Sequence, residues 1–73
     1  MEIKILNKER TVFDVYYKIE SMKISDTEYI IIGTNLNNKD VELKRFDNIT
    51  STKDAMVWIA ERYGDNPNCV LIL

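Results

Sequence analysis

The chain has 73 residues, 45% of them hydrophobic and 30% charged, with a net charge of −2, one cysteine and no histidine. That composition fits a single globular domain spanning residues 1–73, since a disordered chain would be poorer in Ile, Val and aromatic residues. It excludes an intramolecular disulfide and every catalytic device that needs histidine, and it disfavours a structural zinc site.

The first element in chain order is "EIKIL" (Glu2 to Leu6), where Ile3 and Ile5 share one face of a short strand. "NKER" (Asn7 to Arg10) suits a hairpin loop. "TVFDVYYKIE" follows as a longer strand, with Phe13, Val15, Tyr17 and Ile19 pointing one way and Asp14, Tyr16, Lys18 and Glu20 the other. Beyond Glu20 the phase slips, because Met22 and Ile24 occupy even positions: either a bulge near Ser21 restores them to the core face, or the strand ends there. "SDT" (Ser25 to Thr27) is turn chemistry.

"EYIIIGTN" (Glu28 to Asn35) is a β-branched run that reads as a strand buried on both faces, with Gly33 marking a bulge or a close approach by a neighbour. "LNNKD" makes a turn, and "VELKRF" (Val41 to Phe46) alternates again.

The period then changes to 3.6. In "STKDAMVWIAERYG", Ser51 is the expected N-cap with Asp54 as its partner acid, and Gly64 is the expected stop before Pro67. Ala55, Met56, Ile59 and Tyr63 form the core stripe of that helix, with Ala60 at its margin. "NCVLIL" is the last strand. Because Cys69 to Leu73 are apolar at every position, this strand is expected inside the sheet or at a covered edge.

The order β-β-β-β-α-β defines an α+β fold, a mostly antiparallel five-stranded sheet with one helix. One helix covers one face. The other face is expected to carry Tyr16, Phe46, half of the Tyr29 to Ile32 run, and either Val70 with Ile72 or Cys69 with Leu71. A contiguous apolar face of that kind marks an interaction surface. Val57 and Trp58 lie about 120–140° from the centre of the helix core stripe, beside Asp54 and Glu61. Trp is the residue type most enriched at interface hot spots, and two readings stay open: an exposed partner-binding pair, or a Trp58 folded over the sheet edge to fill a satellite core.

Little else in the sequence carries chemistry. Cys69 opens an apolar strand and reads as a small buried hydrophobe; Asp47, Asp54 and Asp65 fall in caps and turns. "DNPN" (Asp65 to Asn68) lacks the spacing of a calcium loop, and two glycines make no phosphate cradle. No cofactor, metal or small-molecule substrate is implied. Lys44, Arg45 and Phe46 combine cations with an aromatic, as single-strand nucleic-acid binders do, but two bases in an acidic domain disfavour that partner.

"MEIKILNKERTVF" has neither the charged flank nor the apolar core of a signal peptide, and no segment is apolar enough to span a bilayer, so a cytoplasmic protein without membrane contact is expected. "NIT" (Asn48 to Thr50) matches a glycosylation acceptor that is inert without secretion. Ile, Lys and Asn supply 24 residues, which AT-rich codons of a virus or mobile element would explain. The leading expectation is a small non-enzymatic protein-binding module, of the kind that inhibits by occluding a partner, with Val57, Trp58, Tyr16 and Phe46 as contact residues. The alternatives are a homodimer or assembly subunit with face-to-face sheets, and, third, a nucleic-acid-binding domain.

Overall fold

A computed structural model describes residues 1–73 as β1 (Ile3–Leu6), β2 (Phe13–Ser25), β3 (Glu28–Asn35), β4 (Asp40–Phe46), α1 (Ile49–Asp65) and β5 (Val70–Ile72). The five strands form one sheet in the order β4-β3-β2-β1-β5, antiparallel throughout except where β5 runs parallel to β1. This is the α+β architecture expected from the sequence, with β5 at an edge and not inside the sheet. No helix is long and apolar enough to cross a membrane.

Register decides which side chains meet. Ile3 stands opposite Tyr16 and Ile5 opposite both Asp14 and Leu71, so these positions share the helix-covered face. Ile3, Ile5, Tyr16, Ile31, Ile59 and Leu71 form the core cluster, with Ala55, Met56 and Tyr63 of the helix packed against it. The expected helix stripe is therefore the packing face.

Strand β2 departs from the expected phase. The pairing is regular through Ser21, and the register shift falls between Tyr16 and Lys18, so that Tyr17 is the inserted residue. Tyr16 consequently turns inward and is only 2% exposed, while Phe13 and Val15 turn outward. The cause lies on β3. A Cβ built on Gly33 would sit 2.5 Å from Cδ1 of Tyr16 and 2.9 Å from Cε1. The ring thus occupies the space that any larger side chain at position 33 would take. Gly33 is the close approach its place in the strand suggested. A second shift between Lys23 and Ser25 leaves Ile24 exposed, as Met22 is.

The helix begins three residues earlier than its sequence signals suggested. Asn48 is the N-cap, its Oδ1 accepting the Ser51 N–H at 2.8 Å, and Thr52 Oγ1 donates to the Asn48 carbonyl at 2.9 Å. Asn and Ser are comparable caps, and the short link from β4 selects the earlier one. With this start no acid lies in the first turn. Gly64 lies within the last turn without a left-handed φ, and Asn66 closes the helix by donating its N–H to the Arg62 carbonyl at 3.0 Å.

The outer sheet face, opposite the helix, falls into two halves. Around β3, Ile30 and Ile32 are 7% and 9% exposed although no second layer lies over them. Their register partners Glu20 and Met22 on β2 and Glu42 and Arg45 on β4 flank them. Arg45 spans the gap, its guanidinium 2.6 Å from Glu28 and bonded to both oxygens of Glu42. Long charged side chains cover apolar surface with their stems while their heads stay in water. The other half, toward β5, has no such roof.

Candidate functional site

The unroofed half is built by three strand segments. On β1, Leu6 pairs with Phe13 of β2 and with Ile72 of β5, and Lys4 pairs with Val15 and Val70. Laterally paired residues project to the same side of a sheet, so Phe13–Leu6–Ile72 and Val15–Lys4–Val70 are two adjacent rows. Phe13 is 54% exposed, Val70 48% and Ile72 46%, with Leu6 and Val15 half-buried between them. Lys4 is the single charge. The patch runs to β5, whose far edge pairs with no strand.

The inner side of β5 is also open. The sheet curls until its two edge strands approach each other: Leu73, just beyond β5, lines a cavity of about 180 Å³ together with Val41 and Leu43 of β4. Next to it, Lys44 and Phe46 face Ile72 and Leu73 across a cleft floored by Ala55 and Trp58. Trp58 lines a further cleft with Arg62, Cys69 and Val70 to Ile72. Ala55, Trp58 and Arg62 occur at i, i+3 and i+7, one helix face.

The residues singled out from the sequence are dispersed. Tyr16 and Phe46 were expected on the face away from the helix. The inserted Tyr17 puts Tyr16 at the centre of the core, where no partner reaches it. Phe46 packs half-buried against the helix side, with Lys44 Nζ 5.6 Å from its ring centroid. Trp58 packs half-buried against the core cluster and lines the clefts beside β5, with Arg62 5.6 Å from its ring centroid. Val57 is exposed on the next helix face, so the two neighbours do not form one contact. Leu6, Phe13 and Val15 were not singled out. Leu6 was legible, since Ile3 and Ile5 inward put it outward. Phe13 and Val15 were not, because their direction depends on the insertion at Tyr17.

No group of three or more acidic, cysteine or histidine side chains lies close enough to hold a metal. Burial, and secondarily the Asp14 carboxylate, push the Tyr16 hydroxyl above its usual pKa, which keeps it neutral in the core. The Arg45 hydrogen bond holds Glu42 below the ordinary carboxylate value. Both shifts serve structure.

The fold is thus an α+β sheet whose edge strand β5 is unpaired on its far side, with apolar side chains beside it on both faces. No protein family, characterised protein or solved structure matches this chain at a significant level.

Proposed function

We propose that the chain is a non-enzymatic protein-binding module that engages a different protein through the β5 end of its outer sheet face. The observation that carries this is the two-row patch of Phe13, Leu6, Ile72, Val15 and Val70, which reaches a free strand edge, whereas Ile30 and Ile32 on the same face are buried among Glu20, Glu42 and Arg45. Selective roofing matters. A fold that protects Ile30 and Ile32 with Arg45 but leaves Phe13 bare is holding that surface for something else.

A stable dimer through this patch is the weaker reading. Its exposed apolar area is on the order of 300 Å², against roughly 800 Å² per partner in standard interfaces. It suits one contribution to a contact with a partner that also uses the edge.

A stability comparison tests the proposal. If the patch exists for a partner, folding does not depend on it, and Phe13→Lys or Val70→Thr should each change stability by less than about 1 kcal/mol. Leu71→Ala, on the adjacent residue facing inward, should cost about 2–5 kcal/mol. A loss at Phe13 as large as that at Leu71 would make the patch part of the core and overturn the proposal.

A further inference from the structure

We infer that the cleft between α1 and β5 takes an extended, acidic segment of a partner chain, added as a strand along β5 with an apolar side chain on Trp58 and carboxylates to either side of it on the same face. This inference rests on the reading of β5 as a partner-binding edge and names the chemistry that edge selects.

Three observations converge on it. The first is the free edge: β5 pairs only with β1, so the backbone groups on its other side are open to an incoming strand. The second is the floor. Trp58, Ala55, Cys69 and Leu71 give an apolar surface between that edge and the helix, in clefts of about 230 and 250 Å³.

The third is charge. Lys44 stands at one end of the cleft and Arg62 at the other, and neither lies within ion-pair distance of a carboxylate, although the protein as a whole is net negative. No acidic side chain lines either cleft. Both cations lie instead against aromatic rings, Lys44 on Phe46 and Arg62 on Trp58. A cation–π contact holds a cation in place without neutralising it, so each remains able to meet a carboxylate.

The span fits a short strand. Ala55 to Arg62 covers seven residues of helix, about 10 Å, which an extended chain crosses in three to four residues. A segment with carboxylates four residues apart and an apolar residue midway between them carries all three on one face, so that the apolar side chain meets the floor and both charges lie toward the two cations. A single-stranded nucleic acid would use the same residue types differently, stacking bases on open ring faces. Here each ring already carries a cation of its own chain, and a phosphate backbone, which only accepts hydrogen bonds, would leave the edge carbonyls unpaired where a peptide strand pairs both donors and acceptors. The peptide is the better fit.

Trp58 is the sole tryptophan, so its emission reports on the cleft directly. The probes are acetyl-Asp-Thr-Val-Thr-Asp-amide, its counterpart with Lys at both ends, and an eight-residue oligothymidylate. The expected result is a saturable change with the Asp peptide, at least tenfold weaker with the Lys peptide, and reduced at least tenfold in K44Q/R62Q. Circular dichroism of that double variant confirms that it is folded. Equal binding of the two peptides, no saturable change at millimolar peptide, an unaltered affinity in K44Q/R62Q, or preferential binding of the oligothymidylate would each overturn the inference. If a partner contact that depends on Phe13 persists while the peptide fails, the cleft assignment alone is wrong; if both fail, so is the proposed function.

Discussion

Replacing Gly33 by alanine is the sharpest perturbation of the fold. The added methyl would stand 2.5 Å from Tyr16 Cδ1 and 2.9 Å from Cγ and Cε1, where carbon atoms normally rest about 3.5–4.0 Å apart. The ring must retreat by about 1 Å, yet it lies in the cluster that contains fully buried Ile31. Overpacking of this kind costs about 1–3 kcal/mol. Alanine recovers about 0.4–1 kcal/mol by restricting the unfolded chain. The net loss is about 1–2 kcal/mol, which for a domain of this size lowers Tm by roughly 5–15 °C.

Thermal unfolding followed by circular dichroism measures that shift, and Tyr16→Ala, which removes Cγ and Cδ1, isolates its cause. Without the ring, Gly33→Ala should cost nothing or stabilise, giving a coupling of at least about 1 kcal/mol between the two positions. An unchanged Tm for Gly33→Ala alone would refute the reasoning. So would the same loss with alanine at position 16, since the clash would then not be with the ring.

Other outcomes follow from the same structure. Because the Tyr16 pKa is raised in the folded state, its contribution to stability is complete below the ordinary tyrosine pKa of about 10 and is lost as pH rises through the folded value. Urea midpoints should therefore fall more between pH 8 and 11 in the wild type than in Tyr16→Phe; equal falls would contradict this. Glu42 has the opposite sign. Its lowered pKa adds stability above the ordinary carboxylate value, lost as pH falls through the folded value, so Arg45→Gln should flatten the acid limb of the stability profile. The same variant should increase binding of an apolar dye by uncovering Ile30 and Ile32. Asn48→Ala removes the cap on Ser51 N–H and should cost about 1 kcal/mol, read as a Tm lowered by roughly 4–8 °C.

Elements were legible where a local pattern decided them. The alternation of Ile3 and Ile5, the β-branched run after Glu28 and the change of period at residue 50 each specify their element without outside help. Positions decided by distant partners were not legible. Tyr16 and Tyr17 are adjacent and chemically identical, and which one enters the core depends on Gly33, whose space only one ring can occupy. Sequence alternation put Tyr17 there.

The same dependence hid the candidate site. With the insertion at Tyr17, Phe13 and Val15 move to the outer face and create the patch. The apolar β3 residues that suggested a wholly open face are covered instead by Arg45, Glu42 and Glu20. Those charged residues read as ordinary solvent positions in the sequence, because stems that cover a neighbouring strand leave no periodic trace. Trp58 shows the limit of a helical wheel: a side chain far from the core stripe still packs when the sheet curls around to meet it.

The most direct test of the proposed function is site-specific photo-cross-linking in the cell that expresses the chain, with a photoreactive phenylalanine at position 13, 72 or 20. Positions 13 and 72 lie in the open patch, and position 20 lies on the same sheet face among the charged residues of its other half. The account predicts an adduct with one and the same protein from 13 and 72, none from 20, and loss of both adducts when Val15→Lys is added. Adducts of equal yield from all three positions, adducts only with a second copy of the chain, or none at all would contradict it.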